Sequence, residues 1–272
     1  MRLSVVLSTQ ETGFKALAFK GNFKKNVSLI ASYGYDGVEL AVRDPELIDH
    51  NDILEVVREH RLLVPAIGTG QSWQDEGLSF TDPDPAVRRK AIERMESHIL
   101  LAKEINAVVI IGSMRGVIRE GISEKQAIDW LLEALKICAK KAVEQGVMIA
   151  VEPLNRYETP LINTAVQGIE IIERVGSENL GLLLDTFHMN IEERSIEECI
   201  SDCGDRMFHF HVADSNRWYP GAGHLDFKSI LKTLLDTGYK GFVSGEFMPL
   251  PDGDTAAKRA IEYLKKLRYL ET

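Results

Sequence analysis

The sequence is short of the features that mark several protein classes. It holds three cysteines, Cys138, Cys199 and Cys203, scattered through stretches of helical period. An odd, dispersed set excludes a disulfide framework and suits reduced, buried thiols of a cytoplasmic protein. Cys199 and Cys203 are spaced to share a helix face, but no further cysteine or histidine stands beside them to complete a metal site. No run approaches the roughly 18 apolar residues of a membrane span. The opening "MRLSVVLSTQ" is too brief for a signal-peptide core, which places the expected protein in the cytoplasm. Positive charge is scarce too: 32 Lys and Arg face 41 Asp and Glu, a net charge of -9. That balance repels a phosphate backbone and turns the reading from nucleic acid toward small molecules. A linker, a low-complexity tract and a break in composition are also missing, so residues 1–272 read as one domain.

What is present is a regular alternation. Short β-rich runs, "RLSVVL", "GVEL", "VPAIG", "AVVIIGS", "VMIAVE", "LGLLLD", "MFHFHV" and "GFVSGEF", are separated by longer segments of helical period. One such segment, "ISEKQAIDWLLEALKICAKKAVEQG", opens on Ser123 and Gln126 as a capping box and stops at Gly146. Another begins at "DPDPAVRRKAIERM", where Pro85 suits a first helical turn. Eight βα units in a chain near the roughly 250-residue norm predict an α/β fold, a single (β/α)8 TIM barrel, in preference to a doubly wound open sheet.

In such a barrel the site is built at the carboxyl ends of the strands. The last four runs each carry a metal-ligand type there: Glu152 after "VMIAV", Asp185 in "GLLLDTFH", His211 in "FHFHV" and Glu246 in "VSGEF". Strand alternation sets Ala150, Leu183, His209 and Ser244 one layer deeper on the same inner face. Any one of the four alone is ordinarily a solvated strand end or a helix cap. Gathered in one mouth, they would repel or desolvate one another without a cation between them. Three carboxylates and an imidazole make a hard, oxygen-rich set for a divalent metal, Mn²⁺ first, with Mg²⁺ or Co²⁺ as alternatives. His209, being deeper, reads as a core or supporting histidine rather than a fifth ligand.

The motifs "VEPLNRYET", "LLLDTFHMNIEE", "HFHVADSNRWYPGAGHLDF" and "GFVSGEF" resemble the xylose-isomerase-like TIM barrels. Within them the resemblance is to the ketose 3-epimerases, of the D-tagatose and D-psicose 3-epimerase kind, and it is strongest over residues 147–247. It implies that Glu152, Asp185, His211 and Glu246 carry the metal, that Glu158, His188 and Arg217 hold the hydroxyl and carbonyl oxygens of a sugar, and that the chain forms a homodimer or homotetramer. The chemistry that follows is inversion at C3 of a ketose or keto sugar acid through an enediolate, with Glu152 and Glu246 above and below its plane as acid and base. A single functional base would carry the proton between neighbouring carbons instead. Hydroxypyruvate-isomerase-like aldose–ketose isomerases and inosose-dehydratase-like lyases share the metal set and stay open as alternatives. Endonuclease IV-type barrels fit poorly: the resemblance there is to a histidine-rich trinuclear site, and this chain has seven histidines, with His50, His60 and His98 in helical contexts.

Without the resemblance, His188 would read as a helix-entry histidine, Arg217 as a solvated loop residue, Trp218 and Tyr219 as loop packing, and "PGAG" as too weak a signal for a phosphate cradle. Arg115 follows the fourth run in "VVIIGSMRG", so it is expected at the same rim, with Gly112 and Gly116 leaving room around it. A neutral ketose gives a rim arginine nothing that a hydroxyl donor would not supply, whereas a carboxylate or phosphate would use its planar fork. The expectation is that Arg115 grips the acid group of a keto sugar acid.

Overall fold

Each of the eight β-rich runs forms a strand in the computed structural model, which describes residues 1–269; the last three residues of the expected domain, 270–272, lie outside the described residues. The strands are β1 (Arg2–Ser8), β2 (Gly37–Ala41), β3 (Ala66–Gly68), β4 (Val108–Ile111), β5 (Ile149–Val151), β6 (Leu180–Asp185), β7 (Met207–Val212) and β8 (Phe242–Gly245). All pair in parallel with their chain neighbours, and β1 closes on β8 through Arg2 with Phe242 and Ser4 with Ser244. The result is the closed eightfold β/α barrel that the alternation predicts. Its strands are apolar almost throughout because helices cover one face and the barrel interior the other.

The described residues also form ten α-helices: α1 (Phe23–Ser32), α2 (His50–Glu59), α3 (Gly70–Gln74), α4 (Pro85–Ile105), α5 (Glu124–Gln145), α6 (Ala165–Val175), α7 (Thr186–Glu192), α8 (Ile196–Cys203), α9 (Phe227–Asp236) and α10 (Gly253–Tyr269). Pro85 opens α4 behind Asp84, whose carboxylate accepts from the Ala86 N–H at 2.7 Å. At α5, Ser123 accepts from the Gln126 N–H and Gly146 ends the helix at φ 68°, as expected, but the reciprocal half of a capping box is not formed. The complete capping box belongs to α6, between Thr164 and Gln167. Among the described residues no helix is long and apolar enough to cross a membrane, and all three cysteines are free and buried.

Between strands and helices lies the main core, with Val38, Leu40, Val109, Ile111, Leu182, Leu184, Phe210 and Val243 among its members. Inside the barrel, Ala66, Ile110, Ala150 and Leu183 form a smaller cluster, with Val108 and Phe208 packed on it. The register between β6 and β7 slips once: Leu182 pairs with Met207 but Leu183 with His209, so Phe208 is left over. The extra residue keeps His209 and His211 facing the interior and sets Asp185 level with His211, its partner in the ladder. That level is the floor of the candidate site.

Candidate metal centre and active site

Four short-range decisions bring the ligand types together. The Glu152 N–H donates to Ile111 O at 3.0 Å, which carries the β4–β5 ladder one residue past the strand and fixes the glutamate at its end. Asp185 ends β6 and caps α7, so one carboxylate oxygen accepts from the Phe187 N–H at 2.7 Å and the other is left over. His211 stands on β7, and Glu246 directly follows β8. One ligand atom from each of Glu152, Asp185, His211 and Glu246 lies within 4.8 Å of all the others. Glu152 Oε1, Asp185 Oδ2 and His211 Nδ1 are buried with no hydrogen-bond partner. Leaving such atoms unmet costs about 1–3 kcal/mol each. Two carboxylate oxygens and an imidazole nitrogen, converging without partners, fit a divalent cation.

The electrostatics agree. Burial, reinforced by the charge of Glu246, pushes the Glu152 carboxyl well above the usual carboxylate range. Burial also raises Asp185 despite His211 and Arg217, and lifts Glu246 to about 7. The carboxyls thus resist ionisation in one another's company, and a cation among them reverses that preference.

A fifth group, unforeseen from the sequence, stands beneath them. Glu39, on β2, is buried, and its carboxylate accepts from His209 Nε2 at 2.8 Å and from His211 Nε2 at 3.0 Å. The carboxylate can only accept when ionised, so His211 carries a proton on Nε2 and Nδ1 is the nitrogen left to face Asp185 Oδ2, 3.9 Å away. Burial opposes both charges, yet the imidazoles hold Glu39 well below the usual carboxylate range, and Glu39 raises His211 to about 10. Glu39, His209 and His211 are also close enough to share a metal, but Glu39 and His209 leave no orphaned atom to ask for one. His209 is therefore a supporting histidine, one layer down.

The expected sugar-contacting residues border the same inner cavity. His188 Nδ1 accepts from Asn155 Nδ2 at 2.8 Å and lies 3.3 Å from its backbone N–H, which leaves the proton on Nε2. Nε2 is buried without a partner, 3.8 Å from Glu152 Oε1. Burial, with Arg217 and Arg115 nearby, holds this imidazole neutral, far below its ordinary value. It is a neutral N–H donor aimed into the site. Arg217 donates to Glu158 Oε1 at 2.7 Å and reaches Glu246 Oε2 at 3.4 Å. Its backbone has φ 61°, held by N–H donation to Asp214 O and by acceptance from Met248. The buried Asp214 carboxylate accepts from the N–H groups of Ser215, Gly221 and Leu225 and so organises the whole "SNRWYPGAG" loop. Trp218 packs on the main core, and the Tyr219 hydroxyl accepts from Arg259 at 2.9 Å, which makes both loop packing, as read from the sequence.

Residues 27–267 match the model of the xylose isomerase-like TIM barrel family. The chain belongs to that family. It is 29% identical to an L-ribulose 3-epimerase of Methylomonas sp. over 94% of its own length and 97% of that protein. It is 30% identical to a D-psicose 3-epimerase of Ruminiclostridium cellulolyticum over 83% of its own length and 78% of the relative. Among solved structures, a D-allulose 3-epimerase of Methylomonas sp. in complex with D-allulose superposes with a TM-score of 0.82 at 26% identity, covering 97% of both chains. The relatives are sugar epimerases, and this member of the xylose isomerase-like family is an enzyme.

Arg115 is not where the sequence suggested. It is fully buried in the turn after β4, with Nε donating to Leu161 O at 2.9 Å, Nη2 to Ile162 O at 3.1 Å and Nη1 to Glu152 O. The guanidinium faces backbone carbonyls of the segment joining β5 to α6 and is absent from the lining of the site. Gly116 accounts for the turn: its φ is 91°, and a Cβ there would sit 2.0 Å from Ser79 Oγ, so the chain passes against the 79–81 strip and tucks the arginine inward. Gly112 likewise leaves no empty space, since a Cβ would lie 2.7 Å from Glu152 Oε2. Arg115 therefore anchors the Glu152 backbone instead of gripping a substrate anion.

Proposed function

We propose that the enzyme inverts C3 of a keto sugar by proton exchange through an enediolate, using a divalent cation held by Glu152, Asp185, His211 and Glu246. The observation that carries this reading is the set of four ligand atoms within 4.8 Å, three of them buried and unpartnered. Relatives named as ketose 3-epimerases support it. A bound cation supplies stabilisation for charge developing on a ketone oxygen and its neighbouring hydroxyl, and the hard donor set favours Mn²⁺. Glu152 and Glu246 come from β5 and β8, which are separated by two intervening strands, so they approach the site from different sides. One removes the C3 proton and the other returns a proton to the opposite face. His188 donates its Nε2–H to a substrate oxygen without changing charge. Arg217 and Glu158, already paired, orient hydroxyls, and Arg217 keeps Glu246 in place.

The test is NMR of the Mn²⁺-loaded enzyme with a panel of ketoses and keto acids in deuterated water. The expected result is deuterium at C3 together with a second sugar differing only there. An aldose as the product would mark one-base isomerisation, and loss of water would mark a lyase; either outcome overturns the proposal.

A further inference from the structure

Two cavities meet at the mouth of the barrel. The inner one, about 40 Å³, is bordered by Glu152, His188, His211 and Glu246. The outer one is about 610 Å³, and Phe14, Leu154, Glu158 and Arg217 border both. At roughly 10–15 Å³ for each enclosed water, the inner space takes the oxygens around the reacting carbons but not a whole sugar. The rest of the substrate therefore lies in the outer cavity, and the chemistry of that wall selects it.

The charge there is opposite to that of the protein. In a chain of net charge -9, the outer cavity is bordered by three cations, Lys15, Arg119 and Arg217, and by one carboxylate, Glu158, which Arg217 engages at 2.7 Å. The carboxylates that follow Trp73 turn elsewhere: Asp75 lies 3.9 Å from Arg43, and Glu76 lies 3.5 Å from Arg43 and 3.0 Å from Arg94. Neither Lys15 nor Arg119 has an ion-pair partner among the described residues. The Arg119 guanidinium rests over the Trp73 indole at 5.2 Å, a stacking that limits its freedom and presents a planar donor fork to the cavity. A fork and an ammonium group left without carboxylates in one concave wall match an anion.

We infer that the outer cavity is an anion subsite, and that the substrate is a keto sugar carrying a carboxylate or phosphate at the end remote from the reacting carbons, received by Arg119 and Lys15. The inference rests on the epimerase reading for the position of the reacting carbons, but its binding test does not depend on turnover. Calorimetry on the Mn²⁺-loaded enzyme compares a neutral hexitol with its 6-phosphate and with the matching hexonate. At least one anionic probe is expected to bind ten-fold or more tightly than the hexitol, with an advantage that shrinks as salt is raised. The phosphate-to-hexonate ratio identifies which anion the wall prefers. The double variant Lys15→Met, Arg119→Met should erase the advantage and leave hexitol binding within two-fold. Equal binding of neutral and anionic probes overturns the inference, and so does an advantage that survives in the double variant, since it would then come from the metal. Tight, Arg119-dependent anion binding without C3 exchange in any sugar would overturn the epimerase reading and leave the subsite standing.

Discussion

Glu39 and His211 meet at 3.0 Å inside the barrel, and the same carboxylate holds His209 at 2.8 Å. One acceptor group thereby orients the histidine whose other nitrogen faces the candidate metal cluster. Glu39→Gln keeps the volume but offers one acceptor oxygen and an N–H₂ that opposes an imidazole N–H. The expected result is a fall of about 10–100-fold in Mn²⁺ affinity, read by calorimetry, with the protein still folded. Affinity within two-fold of the parent enzyme would remove Glu39 from this role.

The contrast between Glu39 and the four strand-end residues shows what a sequence displays. Eight apolar runs separated by helical periods predict the barrel, because both signals are local. Glu152, Asp185, His211 and Glu246 stand out because each lies at or near the carboxyl end of a run, where barrels place their sites. Glu39 sits inside "GVEL", where a single polar residue among apolar ones looks like any solvated face; only the pairing of β2 with its neighbours, and imidazoles about 170 positions away in the chain, reveal it as interior. The burial of Arg115 is hidden from the sequence for the same reason. Its direction depends on carbonyls 46 and 47 residues further along the chain, at Leu161 and Ile162, and on a turn at Gly116 packed against Ser79 and Thr81.

Glu152→Gln and Glu246→Gln should each lower kcat by at least about three orders of magnitude, since each change removes a proton carrier and a ligand together. At saturating Mn²⁺ the two roles separate. A variant with one remaining base should still exchange solvent deuterium into C3 of one epimer and not the other, without interconverting them. More than a tenth of the parent rate in either variant would sink the two-base scheme.

Chelation should lower thermal stability as well as rate. A ligand present at 100 times its Kd contributes about 2.7 kcal/mol to the folded state, and in a domain above 150 residues each kcal/mol shifts Tm by about 2–4 °C. Stripping the metal is therefore expected to lower Tm by roughly 5–10 °C, and added Mn²⁺ to restore it. Superimposable melting curves would mean that the cluster binds no ion of consequence.

Arg115→Met tests the anchoring role against substrate binding. The change leaves the carbonyls of Glu152, Leu161 and Ile162 without their buried donor, a loss expected to cost on the order of 3–5 kcal/mol in chemical denaturation. Its effect on kcat/KM should be equal for neutral and acidic substrates, because the guanidinium does not border the cavity. Selective loss of the acidic substrate would return Arg115 to the rim.

Gly112→Ala separates the site from the fold most cleanly. The new Cβ would lie 2.7 Å from Glu152 Oε2 and 3.9 Å from its Cδ, with nothing else that close. The neighbour it meets is the far end of a flexible side chain, so the glutamate can swing aside at little cost to packing. The orphan Oε1 that completes the cluster must swing with it. Metal affinity and kcat are therefore expected to fall together by ten-fold or more, as they do when a ligand is displaced, whereas the melting temperature of the metal-free protein should stay within about 2 °C of the parent, since no core contact is altered. A large drop in that apo Tm with metal affinity intact would show that Gly112 serves the β4 turn rather than the carboxylate beside it.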